Sequence, residues 1–260
     1  MIMSLQKGDF VLVGYSARVK ETNEVFDTTS EEIAKKEHLY KEGDLYEPKL
    51  VAIGENWVLK ALDENLMTME IGKTATAEIP PDKAFGNRDP EKVKRVPLKQ
   101  LLAREITPAV GARIEYNGKM ATIRTVGAGR VLLDFNPPLA GKTLVYEVTV
   151  EKKLETAEEK VSALIHRRIS AVEEGKFKFI IKENSVTIDM PEEAFYIEGI
   201  QVAKRGIALD IQRFLPETGT VKFTETFKAE PKEPEPKKEK ATENKKEKAT
   251  ETKKEAETKE

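Results

Sequence analysis

Thiol and imidazole groups are nearly absent from this sequence: it has no cysteine, and its two histidines are His38 and His166. Disulfides, thiol catalysis and cysteine-based zinc sites are therefore excluded. What remains for chemistry is a set of aromatic side chains in apolar, strand-like runs and the carboxylate of Asp27. Tyr15 lies in FVLVGYSARV, Phe26 and Asp27 follow the turn residues Thr22 and Asn23, and Tyr146 lies in TLVYEVTVEK. Tyr146 comes just after a rigid corner, NPPLAGK, in which Pro137 and Pro138 each fix one backbone angle and Pro138 also restricts the residue before it. Taken singly, a Tyr or Phe alternating along a strand reads as core, and Asp27 as a turn or cap residue. The basic cluster His166-Arg167-Arg168 lies on one helix and reads as a solvated face.

The elements that must position these side chains divide the chain into parts. The first 155 residues are mostly strands, FVLVGYSARV, EVFD, TATAEIP and TLVYEVTVEK. One helix interrupts them from 56 to about 67, carrying Val58, Leu59, Leu62 and Leu66 on a helical spacing. Between Gly86 and Asn136, Pro97 opens a short helix with Leu98, Leu101 and Leu102. RIEY and MATIRTV then flank Asn117-Gly118, a hairpin signal, and a Gly127-Ala128-Gly129 turn leads to RVLLDF. This meander is expected to be a domain, 88–135, inserted into another formed by 1–87 and 136–155.

Residues 156–228 read as a separate α-β-β-α-β unit. Thr156-Ala157-Glu158-Glu159 is a capping-box pattern opening a helix that Gly175 is expected to end. FKFII and SVTIDM are strands, Pro191 is expected at the first turn of a second helix bearing Phe195, Ile200, Ala203 and Ile207, and VKFTETF is a last strand. So small a core leaves apolar helix surface over, which predicts a homodimer through this unit. From 229 to 260 the chain is almost entirely Lys, Glu, Thr, Ala and Pro, with an eight-residue repeat from Lys237 to Glu260 and no large apolar residue, and it is expected to be disordered.

A net charge of -2 with 39% hydrophobic and 35% charged residues describes a soluble globular chain with two or three small cores. The balance of charge gives no case for nucleic acid. FVLVGYSA, near the start, is too short to span a bilayer, so neither a signal peptide nor a membrane helix is read, and a cytoplasmic protein is expected.

In their order and spacing, five motifs resemble the FKBP-type peptidyl-prolyl isomerases. They are Val13-Gly14-Tyr15, Val25-Phe26-Asp27-Thr28-Thr29, Ile53-Gly54 with Val58-Leu59, Ile79-Pro80, and Ala84-Phe85-Gly86-Asn87. Within that family the chain is similar to the SlyD-like branch, which carries a domain inserted in the flap, and its C-terminal unit resembles that of the long archaeal members. The resemblance implies an α+β fold: an antiparallel half-barrel around one helix, a small β-rich insert, and a C-terminal α-β-β-α-β domain. It implies an enzyme that uses no cofactor and no metal, with Asp27, Tyr15, Phe26 and Tyr146 in catalytic positions and Val58, Leu59, Leu62 and Phe85 binding substrate.

Asp27 then acts either on the rotating carbonyl or by fixing Tyr15. Phe26 and Asp27 are neighbours in a strand, so both reach one pocket only if the strand twists or bulges there. Against the single-domain members, Leu62 stands at a usual tryptophan, Phe85 at a common tyrosine, Ala61 at a glycine and Lys49 at a position that is often aromatic. A wider, softer pocket floor, weaker macrolide binding and one missing hydroxyl follow. The resemblance gives Trp57 no place in the pocket.

The implied partners are unfolded or partly folded proteins containing X-Pro bonds. Leu98, Leu101, Leu102, Val131 and Leu133 are the insert's candidates for holding extended apolar segments, with core packing the plain alternative for each. One rival reading is a holdase chaperone with weak or vestigial isomerase activity. Another is a structural dimer module, to which Leu62 and Phe85 lend weight. Nickel handling, known from relatives with a tail rich in histidine and cysteine, lacks its ligands in the Lys/Glu tail of this chain.

Overall fold

The computed structural model describes residues 5–228; the Lys/Glu-rich tail for which the sequence predicts disorder lies outside them. The chain opens with β1 (Phe10–Val19), β2 (Val25–Thr28), α1 (Glu31–Lys36), β3 (Lys49–Ala52), α2 (Lys60–Leu66) and β4 (Thr74–Ile79). A second group follows: β5 (Val93–Pro97), α3 (Leu98–Leu102), β6 (Arg113–Tyr116), β7 (Lys119–Gly127) and β8 (Arg130–Asp134). After β9 (Leu144–Leu154) come α4 (Ala157–Arg168), β10 (Lys178–Lys182), β11 (Ser185–Met190), α5 (Ile200–Phe214) and β12 (Thr220–Glu225). The class is α+β with antiparallel sheets, apart from the parallel pair β11 and β12. No helix among the described residues is long and apolar enough to cross a membrane.

β1 organises the main sheet. It pairs with β9 along its whole length, from Phe10↔Leu154 to Val19↔Leu144, and on its other edge with β3 and then β2, while β4 joins the far side of β9. Between Leu12 and Val13 the register slips, leaving Glu151 as an extra residue on β9. Strand side chains alternate, so one inserted residue moves everything beyond it to the opposite face. Leu144, Tyr146, Val148 and Val150 face an inner core shared with Leu62 and Leu66 of α2, whereas Leu154 faces a second core on the other side. A Cβ on Gly14 would lie 2.5 Å from Oε1 of Glu151, the tip of an exposed side chain.

The second core belongs to α4, α5 and the three-stranded sheet β10-β11-β12. Val161, Leu164, Ile165, Val186, Ile188, Ile207 and Ile211 fill it, together with Phe10, Ala52 and Leu154 of the main sheet; Leu12, Leu50 and Trp57 pack on its margin. Much of the apolar helix surface that led to the dimer expectation is thus covered by the same chain.

Several boundaries differ from those read in the sequence. α2 begins at Lys60, not Asn56, because Asn56 is left-handed (φ 54°) and Asp63 holds the Gly54 and Asn56 amides at 2.9 and 3.0 Å in a turn. α4 ends at Arg168, well before Gly175, as Ile169 leaves helical geometry. Pro191 introduces only a short 3-10 turn at Glu192–Ala194; α5 starts at Ile200, after left-handed Gly199 (φ 77°), so Phe195 precedes the helix. Arg167 and Arg168 are exposed, as a solvated face requires, and the cluster is also engaged: His166 pairs with Glu47, Arg167 stacks on Trp57 and Arg168 binds Asp210.

The remaining sheet, in the order β5-β8-β7-β6, closes its own core around Val96, Leu101, Ala121, Ile123, Val131 and Leu133. Where its chain enters and leaves, Asp134 is buried and accepts from Arg88 (2.9 Å), Arg124 (3.0 Å), Asn136 N (3.0 Å) and Asn136 Nδ2 (2.8 Å). Asn136 in turn binds both the amide and the carbonyl of Asp89, so the two crossings are tied to each other. Burial alone would raise the Asp134 carboxyl, but these donors outweigh it and hold it at about 2.

A carboxyl depressed in the folded state stabilises above its unfolded pKa and loses that contribution as pH falls through the folded one. Roughly 2 kcal/mol should therefore vanish between about pH 4 and pH 2. The protection factors of the Ala121 and Ile123 amides, corrected for the intrinsic pH dependence of exchange, should fall over that window in the wild type. Asp134→Asn should be weakened already at neutral pH and show little further change. Identical acid profiles for the two proteins would refute the assignment.

Candidate active site

The β1–β2 register pairs Ala17 with Asp27 and Arg18 with Val25, which leaves Phe26 as the extra residue of a bulge. Residues opposite each other in a ladder share a face, so Asp27 lies on the side of Tyr15, Ala17 and Tyr146, and the bulge lets Phe26 turn to that side too. The Tyr15 hydroxyl donates to Asp27 Oδ2 at 2.6 Å, and Lys49 Nζ donates to the same hydroxyl at 2.7 Å while standing 3.8 Å from Asp27 Oδ2. A hydrogen bond of this length to a carboxylate is among the stronger ones proteins make. The Tyr15 backbone is held at both ends by Thr29, whose Oγ1 accepts from the Tyr15 amide at 2.8 Å and whose amide donates to the Tyr15 carbonyl at 2.9 Å.

Tyr146 is 6% exposed and stands between Tyr15 (centroids 5.8 Å apart) and Phe26 (6.1 Å, rings at 85°). Val58 and Leu59 pack against the same core, with Leu62 buried beneath. Four of the sequence-derived positions, Tyr15, Phe26, Asp27 and Tyr146, thus meet in one aromatic basin. Phe85 lies in the turn after β4, 42% exposed, while its neighbour Ala84 packs on the core. Leu98, Leu101 and Leu102 belong to the separate four-stranded unit. Leu101 is fully buried there, as are Val131 and Leu133, so these three are core and not open surface; Leu98 is partly buried and Leu102 is 52% exposed.

Lys49 is a member of the site that the sequence marks only as a departure from an aromatic position. Its place is set by β3, where it pairs with Val13, two residues before Tyr15. Four residues after Pro48 with no alternating pattern gave no strand signal, so this neighbourhood was not readable.

Burial, followed by the hydrogen bond and charge of Asp27, pushes the Tyr15 phenol far above its ordinary value. Burial and then the Asp27 charge push Tyr146 up to about 12. Both phenols are therefore neutral donors at working pH. Tyr15 spends its proton on Asp27, whereas the Tyr146 hydroxyl has no hydrogen-bond partner among the described residues. The basin has apolar walls, one free O–H donor and a carboxylate already engaged by Tyr15 and Lys49. It can bind and orient an apolar group beside a carbonyl.

A family model described as FKBP-type peptidyl-prolyl cis-trans isomerase matches residues 3–151, and one described as FKBP26_C-terminal matches residues 157–228. The chain is 35% identical over 150 residues to the short-type peptidyl-prolyl cis-trans isomerase of Methanocaldococcus jannaschii, covering 58% of this chain and 94% of that protein. It is 28% identical over 158 residues to the FKBP-type peptidyl-prolyl cis-trans isomerase SlyD of Helicobacter pylori, covering 60% and 78%. It is 27% identical over 109 residues to the FKBP-type 16 kDa isomerase of Escherichia coli K12, covering 40% and 72%.

Neutral phenols that resist ionisation have a spectroscopic consequence. A tyrosine whose folded pKa is raised adds stability that is complete below about pH 10 and is lost as pH climbs through the folded value. Absorbance at 295 nm, followed up to pH 11, should show the same folded-state amplitude in the wild type and in Tyr15→Phe and Tyr146→Phe. An amplitude missing from either variant near pH 10 would show that its phenol ionises freely.

Proposed function

The chain belongs to the FKBP-type peptidyl-prolyl cis-trans isomerases, and on that premise we propose that the basin of Tyr15, Phe26, Asp27 and Tyr146 rotates X-Pro bonds in folding proteins. The β5–β8 unit, in this reading, holds the unfolded chain. The observation that carries the site is the bulge at Phe26, which brings Phe26 and Asp27 to one face beside both tyrosines.

Amide resonance sets a barrier of about 18–20 kcal/mol to this rotation, and no bond has to break. A pocket accelerates it by holding the proline ring between apolar walls and favouring the twisted amide, whose resonance and polarity are reduced. Phe26, Val58, Leu59 and Tyr146 form the walls. Asp27 acts mainly by fixing Tyr15, since its Oδ2 is taken by that hydroxyl. The unpaired Tyr146 hydroxyl supplies a donor to the substrate carbonyl, in place of the one that Phe85 lacks.

Substrate capture by residues 88–135 is supported by exposed Leu102, Val110, Met120 and Val126 on a unit with ten Lys and Arg against five Asp and Glu. Such a surface favours extended apolar segments that also carry acidic residues. Residues 1–87 and 136–155 then form the isomerase domain, acting in the cytoplasm on unfolded or partly folded proteins. Residues 156–228 pair two copies, through the exposed Tyr196, Val202 and Leu209. Sedimentation of a concentration series should show a dimer that Val202→Asp dissociates; a monomer at every concentration would remove this part.

Asp27→Ala and Tyr146→Ala should each lower kcat/KM on a short X-Pro peptide by about tenfold or more. Binding of a permanently unfolded protein should be unchanged in both. Wild-type peptide isomerisation in the two variants would overturn the site, and a wild type that binds unfolded chains without isomerising the peptide would establish the holdase reading instead.

A further inference from the structure

Trp57 stands where the pocket meets the C-terminal unit. Its indole is edge-to-face with Phe10 of β1 (5.9 Å, 82°) and with Phe214 of α5 (5.5 Å, 88°), and those two rings meet each other at 4.9 Å and 86°. The Arg167 guanidinium of α4 lies 3.8 Å from the indole centroid, within cation–π range, and 3.8 Å from Asp210 of α5. Two residues earlier, Glu55 pairs with Arg213 of α5. Residues 55–57 are therefore gripped from outside by both C-terminal helices.

The same segment is gripped from inside. Asp63, only 2% exposed, accepts from the amides of Gly54 and Asn56, and Asn56 holds a left-handed conformation that the turn requires. Val58 and Leu59 come next in the chain and pack on the core of the aromatic basin, and Leu59 caps α2 with no side-chain hydrogen bond of its own. The position of this pocket wall is thus set by what holds Trp57 and by Asp63, not by a cap of its own.

We infer that the C-terminal unit positions the proline-pocket wall: by clasping Trp57 between Phe10, Phe214 and Arg167, it holds Val58 and Leu59 where the isomerase site needs them. The inference rests on the isomerase reading of the basin. Trp57 is a positioning residue; its contacts lie on the face of the main sheet opposite Tyr15 and Tyr146. Small displacements of substrate-orienting groups cost rate out of proportion to their size, which is how packing behind the wall reaches the chemistry.

The test uses the full chain with Trp57→Ala, Phe214→Ala and Trp57→Phe, with Arg205→Ala as an exposed control on α5 and Asp27→Ala as the pocket reference. Isomerisation of a short X-Pro peptide and amide exchange are measured on the same samples. Trp57→Ala and Phe214→Ala should lower kcat/KM by about tenfold. The Gly54, Asn56 and Asp63 amides, which donate to the Asp63 carboxylate and the Leu59 carbonyl, should exchange faster in both, while the Tyr15 amide, bound to Thr29 Oγ1, and the β1–β9 ladder keep wild-type protection. Trp57→Phe should recover most of the rate, and Arg205→Ala should match wild type. Wild-type rates in Trp57→Ala and Phe214→Ala overturn the inference, as does a rate loss accompanied by loss of ladder protection, which would mark general destabilisation. If Asp27→Ala slows the peptide reaction and Trp57→Ala does not, only the positioning inference fails; if Asp27→Ala has no effect, the pocket assignment fails.

Discussion

The antiparallel pairing of β1 with β9 joins residues 10–19 to residues 144–154, and every other part of the molecule is placed by it. Closing so long a loop costs chain entropy that grows only slowly with length, which is why a whole four-stranded unit can sit inside it. The ladder's single extra residue, Glu151, then gives the sheet two apolar faces. One receives α2 and the aromatic basin; the other receives α4 and α5. Without the bulge, Leu154 would share the inner face with Tyr146, and the C-terminal unit would lose part of its seat.

The chemistry is compatible with this scaffold because it asks for so little. An isomerase of this kind needs no nucleophile and no metal, only a shaped apolar wall and donors that stay protonated. Burial supplies the second requirement at Tyr15 and Tyr146, and Asp27 strengthens it by placing a negative charge beside both phenols. Lys49 offsets part of that charge at the one place where it is half-exposed. The basin can therefore hold a carboxylate beside an apolar site without leaving it unpaired.

What could be read from the sequence was whatever local patterns determine. Alternation in FVLVGYSARV and TLVYEVTVEK, the capping box at Thr156 and the Asn117-Gly118 hairpin all reappear as β1, β9, α4 and the β6–β7 turn. The order of five short motifs identified the family, which no single residue did. The failures share a physical origin in tertiary contacts. β3 and β5 are short strands without alternating polarity, formed because β1 and β8 offer edges to them. The Asn56 turn looks helical until Asp63 claims its amides. Leu101 and Leu102 are neighbours of equal hydrophobicity, and only packing decides that one is core and the other surface. The cluster at His166 is exposed at both arginines, but nothing local shows that Trp57 and Glu47 lie against it.

The central claim is a division of labour between the basin and the unit held by the Asp134 seam. Its most direct measurement compares a short X-Pro peptide with a proline-limited unfolded protein, using the full chain and a chain in which residues 88–133 are replaced by a short turn. The account predicts equal peptide isomerisation by the two and markedly slower protein refolding by the shortened chain. Equal acceleration of protein refolding by both would contradict it.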